Sequence, residues 1–177
     1  MNEDPFKKEQ LVVRIEIAGP EDWKAYKEMR LLAITGKDKE MFGVTSDSKH
    51  VEGELGRADA DWKNDLSVDK RDQFVILAWK GSEAIGMIRA KETEKMGWYL
   101  TSGYVKEDSR GKVFVPKVLS EVAKEVKKRG GFKLSMGVKA HNKIMISIAT
   151  LLGFKKVESE SYGPGFYMEL DLENKEK

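Results

Sequence analysis

The 177 residues include 32 lysines and arginines against 30 aspartates and glutamates, and 40% of the chain is apolar. This length and composition are typical of one globular domain with a well-buried core, and a net charge of +2 offers no basic field to nucleic acid or a membrane surface. The chain has no cysteine, which excludes a disulfide scaffold, a thiolate zinc site and a cysteine nucleophile.

The chain begins with a charged stretch that has no hydrophobic period. We therefore expect residues 1–10 to form a loose tail before a single domain at residues 11–173. The first residues are too acidic for a signal peptide, and no apolar run approaches the roughly 20 residues that cross a bilayer. These features predict a cytoplasmic protein without a membrane partner. Two widely separated histidines, His50 and His141, do not favour a metal site.

The next part of the chain predicts one strand and two helices. Leu11 to Ile17 alternates near its end, as a strand does, and a helix then runs from Gly19-Pro20 to Gly36. A second amphipathic helix is predicted from about Ser48 to about Leu66. The apolar residues that support it recur at spacings of three or four: Val51, Leu55, Ala58 and Trp62.

Three strands joined by short turns follow, and they predict an antiparallel meander. They run from Gln73 to Trp79, from Ala84 to Ala90 and from Gly97 to Val105. Apolar residues from Val115 to Val126 then recur at helical spacing, with Pro116 in the first helical turn. A strand from Phe132 to Val138 comes next, and strand, helix and strand in this order imply a right-handed crossover with parallel pairing.

The last part of the chain predicts a short helix and a hairpin. Asn142 is expected to cap the helix and Gly153 to end it. The two strands of the hairpin are predicted from Phe154 to Ser159 and from Phe166 to Leu172.

The turn between the third meander strand and the long helix is a candidate anion site. It reads Glu107-Asp108-Ser109-Arg110-Gly111-Lys112, and the unpaired N–H groups of a helix start can bind a phosphate. Such turns also occur in many α/β proteins that bind no phosphate. The residues of the turn alone leave both interpretations open.

The order of elements and three local motifs resemble the GCN5-related N-acetyltransferases. The phosphate loop of that family usually reads Val-x-Pro-x-x-Arg-Gly-x-Gly-x-Gly/Ala, and Val105, Arg110 and Gly111 match it. Asn142 and Gly153-Phe154 match a second motif of the family. Arg30-Leu31-Leu32-Ala33-Ile34 followed by Met41-Phe42-Gly43 is similar to its amino-terminal helices. The resemblance implies an α/β (α+β) acyl-CoA N-acyltransferase fold, with about seven strands in a mixed sheet, four helices and a splay between strands 4 and 5.

The resemblance also implies a function and a set of site residues. Acetyl-CoA would be the cosubstrate, and a primary amine of a small molecule or peptide would accept the acetyl group. The residues implied to bind the cosubstrate are Tyr104, Val105, Arg110, Gly111, Lys112, Val113, Phe114, Val115 and Asn142. Those expected to be catalytic are Tyr104, Ser147 and Glu92. Because the family commonly dimerises, a homodimer is a further expectation.

Four departures from the family pattern support an alternative function. Val113 and Val115 occupy positions of loop glycines, and Pro116 removes one backbone N–H. A β-branched residue tolerates positive φ badly and holds the backbone away from phosphate oxygens. Ala149 replaces the tyrosine that commonly protonates the departing thiolate. The alternative is a catalytically degenerate protein that binds another ligand or a partner chain in the same cleft.

Overall fold

The computed structural model describes residues 12–37, 39, 48–110, 114–163 and 165–173. Within these residues a seven-stranded sheet has the order β1-β2-β3-β4-β5-β7-β6. The strands are β1 (Val13–Ile17), β2 (Gln73–Lys80), β3 (Glu83–Thr93), β4 (Gly97–Val105), β5 (Lys133–Lys139), β6 (Lys155–Tyr162) and β7 (Gly165–Asp171). The helices are α1 (Trp23–Thr35), α2 (Ser48–Leu55), α3 (Asp59–Asp65), α4 (Phe114–Lys128) and α5 (Lys143–Leu151). The mixed α/β fold and its seven strands are confirmed.

The sheet combines an antiparallel meander with one parallel pair. Each strand from β1 to β4 pairs antiparallel with the next one in the chain. Helices α1, α2 and α3 connect β1 to β2. β4 pairs parallel with β5 because α4 carries the chain back along the sheet between them. The predicted parallel pairing of β4 with β5 and the predicted final hairpin of β6 and β7 are both present.

Two apolar cores lie on opposite faces of the sheet. On one face, called here the α4 face, Val122 and Val126 pack with Ile76 and Trp98. On the other, called the α1 face, Tyr26 and Met29 of α1 pack with residues such as Leu77 and Met87. Successive residues of a strand point to opposite faces, so the alternation within β2 and β3 sorts their side chains between the two cores. No helix in the described part of the chain is long and apolar enough to cross a membrane.

The helix predicted from Ser48 to Leu66 is two helices, so the expectation of four helices is wrong and the described residues contain five. The chain leaves the helical conformation after Gly56, and Ala58 is extended, with φ −67° and ψ 152°. The N–H of Ala58 donates to the Asp61 carboxylate at 3.2 Å, which helps to start the new helix. The apolar spacing continues across this break, and spacing alone therefore conceals it.

Candidate functional site

Strands β4 and β5 separate halfway along their length. Their parallel pairing covers only residues 98–100 of β4 and 134–136 of β5. Beyond that point β4 stays paired with β3, and β5 stays paired with β7. The carboxyl-terminal halves of the two strands therefore have edges that face each other across a cleft instead of hydrogen-bonding to each other.

A β-bulge in β4 lies where the pairing stops. Ala90 of β3 is opposite Leu100, whereas Arg89 is opposite Ser102, so Thr101 is an extra residue in β4. A bulge bends its strand and increases the local twist. The bend accounts for the departure of β4 from β5 immediately after Leu100.

The cleft between the strands has a volume of about 410 Å³. Its walls are mostly apolar and come from both strand edges and from the adjacent helices. The lining comprises residues 86–88 of β3, 99–105 of β4, 136–139 of β5, Val115, Val118 and Leu119 of α4, and Asn142 and Met145 beside and within α5. An apolar groove bounded by strand edges suits an elongated ligand that can hydrogen-bond to the backbone.

The wall formed by β4 directs backbone N–H groups into the cleft. Lys106 donates its N–H to the Ile85 carbonyl at 2.9 Å, toward β3. Because N–H directions alternate along a strand, Val105 and Gly103 direct their N–H groups to the opposite side. Arg110 Nε donates to the Val105 carbonyl at 3.0 Å, which agrees with this orientation.

One end of the cleft reaches the predicted anion site. After the turn at Glu107–Ser109, Arg110 is held on the Val105 carbonyl, and its guanidinium carbon lies 6.0 Å from the Tyr104 ring centroid. Helix α4 begins at Phe114, with Pro116 in its first turn as predicted. The predicted site residues Gly111, Lys112 and Val113 lie outside the described residues.

The other predicted site residues fall into two groups. Tyr104, Val105, Val115 and Asn142 all line the cleft. Asn142 is also the predicted cap of α5, since its Oδ1 accepts the Met145 N–H at 3.1 Å. Ser147 is an exposed residue of α5 and is not part of the cleft lining.

Glu92 also lies apart from the cleft lining. It is an exposed residue near the end of β3, opposite Trp98. The structure thus groups four predicted residues at the cleft but does not bring Ser147 or Glu92 to them.

A buried arginine connects the cleft wall to α1 and α2. Arg30 Nη1 donates to Ser102 Oγ at 3.1 Å, and Nε donates to Glu54 Oε2 at 3.2 Å. Arg30 Nη2 lies 3.0 Å from His50 Nε2. Because a guanidinium only donates, His50 Nε2 must accept and the other ring nitrogen carries the proton. Two sequence signals point to this cluster. Arg30 belongs to the segment that is similar to the family's amino-terminal helices, and His50 and Glu54 are four residues apart on one helix face.

A second polar cluster surrounds Asp65 on the α1 face. Arg57 Nη2 donates to its carboxylate at 2.8 Å, and Lys70 Nζ lies 3.6 Å from it. Burial would raise the pKa of Asp65, but the hydrogen bond from Arg57 and the charges of Arg89, Arg57 and Lys70 outweigh burial and lower the pKa. Tyr26 OH lies 3.5 Å from the same carboxylate, and burial raises the pKa of this phenol.

Comparison with known sequences identifies a family. Residues 39–154, about two thirds of the chain, match the model of the acetyltransferase (GNAT) family. A search of curated proteins finds no match.

Solved structures with GNAT folds superpose on nearly the whole chain. The PaiA N-acetyltransferase of Thermoplasma acidophilum, in complex with coenzyme A, has a TM-score of 0.69 and 21% identity, covering 90% of this chain and 99% of that one. YncA of Salmonella typhimurium, with its cofactor acetyl-CoA, has a TM-score of 0.66 and 17% identity, covering 94% and 97%. A ribosomal-protein-alanine N-acetyltransferase from Brucella melitensis has a TM-score of 0.61 and 18% identity, covering 89% and 99%. Because these sequence identities are low, the comparisons show that the structures share a fold with this chain.

Proposed function

The chain belongs to the acetyltransferase (GNAT) family, and on that premise we propose that it transfers the acetyl group of acetyl-CoA to a primary amine. The observation that carries the proposal is the cleft between the diverging edges of β4 and β5. Strand backbone bounds the cleft along its length. One end is lined by Val105 and by Val115 of the first turn of α4, and Arg110 is hydrogen-bonded to Val105 beside this end. This arrangement suits a ligand with an extended arm and a phosphate group at one end.

The cleft residues fit acetyl-CoA, which supplies an activated acyl carbonyl when bound. The inward N–H of Val105 would hydrogen-bond the extended arm as an added strand does. Arg110 and the backbone at the start of α4 would hold the phosphates. The full proposed binding set is Tyr104, Val105, Arg110, Gly111, Lys112, Val113, Phe114, Val115 and Asn142. PaiA and YncA, whose folds this chain shares, were crystallised with CoA and acetyl-CoA respectively.

Two groups of β4 are proposed to take part in the transfer itself. The N–H of Gly103 enters the cleft just after the bulge and would stabilise negative charge on the acyl oxygen. Tyr104 is one of the residues that line the cleft, and its hydroxyl would donate a proton to the departing sulfur. Ser147 and Glu92, both exposed and away from the lining, are less well placed for these roles.

Calorimetric titration with acetyl-CoA tests the proposal. We expect micromolar binding, about −8 kcal/mol, that weakens at least tenfold in Arg110→Ala. Arg14→Ala is the matched control because Arg14 lies on β1 with a side chain 60% exposed. A thiol-release assay with primary amines then tests turnover.

The transferase and the catalytically degenerate alternative predict different results in these two assays. Binding of acetyl-CoA without release of thiol would favour the catalytically degenerate alternative. Absence of both heat and thermal stabilisation at millimolar acetyl-CoA would refute the transferase proposal.

A further inference from the structure

Two basic side chains lie beside the cleft on the α1 face of the sheet. Arg89 and Lys91 are alternate residues of β3 and share a face with Met87 of the α1-face core. Their partners across the sheet are Ser102 and Tyr99, and both of those residues line the cleft. Directly opposed residues have Cβ atoms about 5 Å apart, so Arg89 and Lys91 are direct neighbours of residues that line the cleft.

Neither cation lies within ion-pair distance of a carboxylate in the described part of the chain, although the charge of Arg89 acts on Asp65 from farther away and helps to lower its pKa. The hydrogen bond that Arg89 makes there joins its Nη2 to the neutral Gln73 amide oxygen at 2.7 Å. Arg89 Nε is buried and has no acceptor among the described residues. Both side chains are partly exposed, so a ligand can reach them.

The acidic groups of this face are already used by other cations. Glu54 Oε2 accepts from Arg30 at 3.2 Å and lies 3.8 Å from Arg57. Asp65 is bonded to Arg57, lies near Lys70 and also interacts with the charge of Arg89. Among the described residues, five basic side chains stand beside these two acids, so the charges of these seven groups sum to a positive value. The basic side chains are Arg30, Arg57, Lys70, Arg89 and Lys91.

The neutral groups that contact Arg30 also present donors. Ser102 Oγ accepts from Arg30, which leaves the hydroxyl proton of Ser102 to be donated at the cleft wall. His50 Nε2 likewise accepts from Arg30, which leaves the N–H of the opposite ring nitrogen as a donor. A site formed by cations and donors selects an anionic group.

We propose that the acceptor is a small amine that also carries a carboxylate, which binds Arg89 and Lys91 while the amine enters the cleft beside Ser102. This inference rests on the proposed amine acetylation and names the class of acceptor. It predicts that a free amino acid is a better acceptor than the same molecule with its carboxylate neutralised.

Matched pairs of amines test the assignment. The enzyme is assayed at a fixed pH with glycine against glycinamide, and with 4-aminobutanoate against 4-aminobutanamide. We expect kcat/KM to be at least tenfold higher for the carboxylates. A broader set of L-amino acids and their carboxamides extends the comparison to larger side chains.

Variants then locate the carboxylate site. Arg89→Gln and Lys91→Gln are each expected to raise KM for the carboxylates at least tenfold, with little change in kcat, in KM for the amides or in the Kd of acetyl-CoA. Arg89→Lys should recover part of the preference because it restores the charge. The controls are Arg14→Gln and Lys80→Gln, exposed residues of β1 and β2.

Different experimental results would overturn this inference and the proposed function. Acetylation of amides as fast as acids, or a preference that survives in both variants, would overturn the carboxylate site and leave the transferase intact. Binding of acetyl-CoA with no turnover of either series would also overturn it. Loss of acetyl-CoA binding altogether would refute the proposed function itself.

Discussion

Arg30 Nη1 donates to Ser102 Oγ at 3.1 Å, although the two residues are 72 positions apart in the chain. Both residues are 8% exposed, and Ser102 belongs to the wall of the cleft. The same guanidinium contacts Glu54 and His50 of α2. A single buried side chain therefore positions α2 against the strand that forms one side of the cleft.

Removal of this arginine should destabilise the protein. We expect Arg30→Ala to lower the free energy of unfolding by about 2–3 kcal/mol, because the change leaves the largely buried Glu54 carboxylate with a weaker partner. Urea denaturation measures the effect. Lys27→Ala is the control, since the ion pair between Lys27 of α1 and Asp59 of α3 is more exposed and should contribute less than about 1 kcal/mol. Equal losses in the two variants would contradict the role assigned to Arg30.

Removal of the Tyr104 hydroxyl should slow the transfer without weakening binding. We expect Tyr104→Phe to lower kcat about 100-fold, in the range of general acid catalysis, with an unchanged Kd for acetyl-CoA. Stopped-flow thiol release and calorimetry measure the two quantities. Tyr167→Phe is the control, because Tyr167 lies on β7 and contacts the ring of Tyr99. A kcat within twofold of the wild type would show that the proton comes from elsewhere.

A side chain at Gly103 should obstruct the cleft but not the fold. A Cβ at this position would meet only Ile88 Cγ1, at 3.9 Å, and Gly103 lines the cleft. We expect Gly103→Val to weaken acetyl-CoA binding at least tenfold by calorimetry. Because valine favours strands, thermal unfolding should show little loss of stability. Unchanged affinity in a folded variant would mean that acetyl-CoA does not bind against this part of β4.

Asp65 should make stability depend on pH in acid. Burial opposes ionisation, but Arg57 and the neighbouring cations lower the pKa of Asp65 below its ordinary value of 3.8. A carboxylate with a lowered pKa in the folded state stabilises that state fully above the ordinary value, and the stabilisation is lost as pH falls through the folded pKa. Asp65→Asn should therefore cost about 1–2 kcal/mol at pH 7 and progressively less below pH 4.

Denaturation of this variant at several pH values measures the difference. Asp69→Asn is the control because Asp69 is exposed in the turn before β2. A cost for Asp65→Asn that is the same at pH 7 and pH 3 would contradict the electrostatic explanation.

Much of the fold could be predicted from local patterns. The apolar run of β2, the apolar spacing of α4 and the cap at Asn142 each follow from short-range rules, and all three are confirmed. The break between α2 and α3 cannot be predicted from the apolar spacing, because that spacing continues through it, whereas Gly56 and the Asp61 cap divide the helix. Spacing records which side chains are buried, but it does not record where the backbone stops being helical.

The sequence by itself determined the family, the order of the elements apart from the break between α2 and α3, and the place of Val105 and Asn142 at the ends of their elements. The tertiary structure decided that β4 bulges at Thr101 and separates from β5, and that Arg89 and Lys91 lie opposite cleft residues. Motifs depend on neighbours in the chain and can be read locally. The register between two strands depends on packing against both cores at once, and a shift of one residue moves every side chain to the other face.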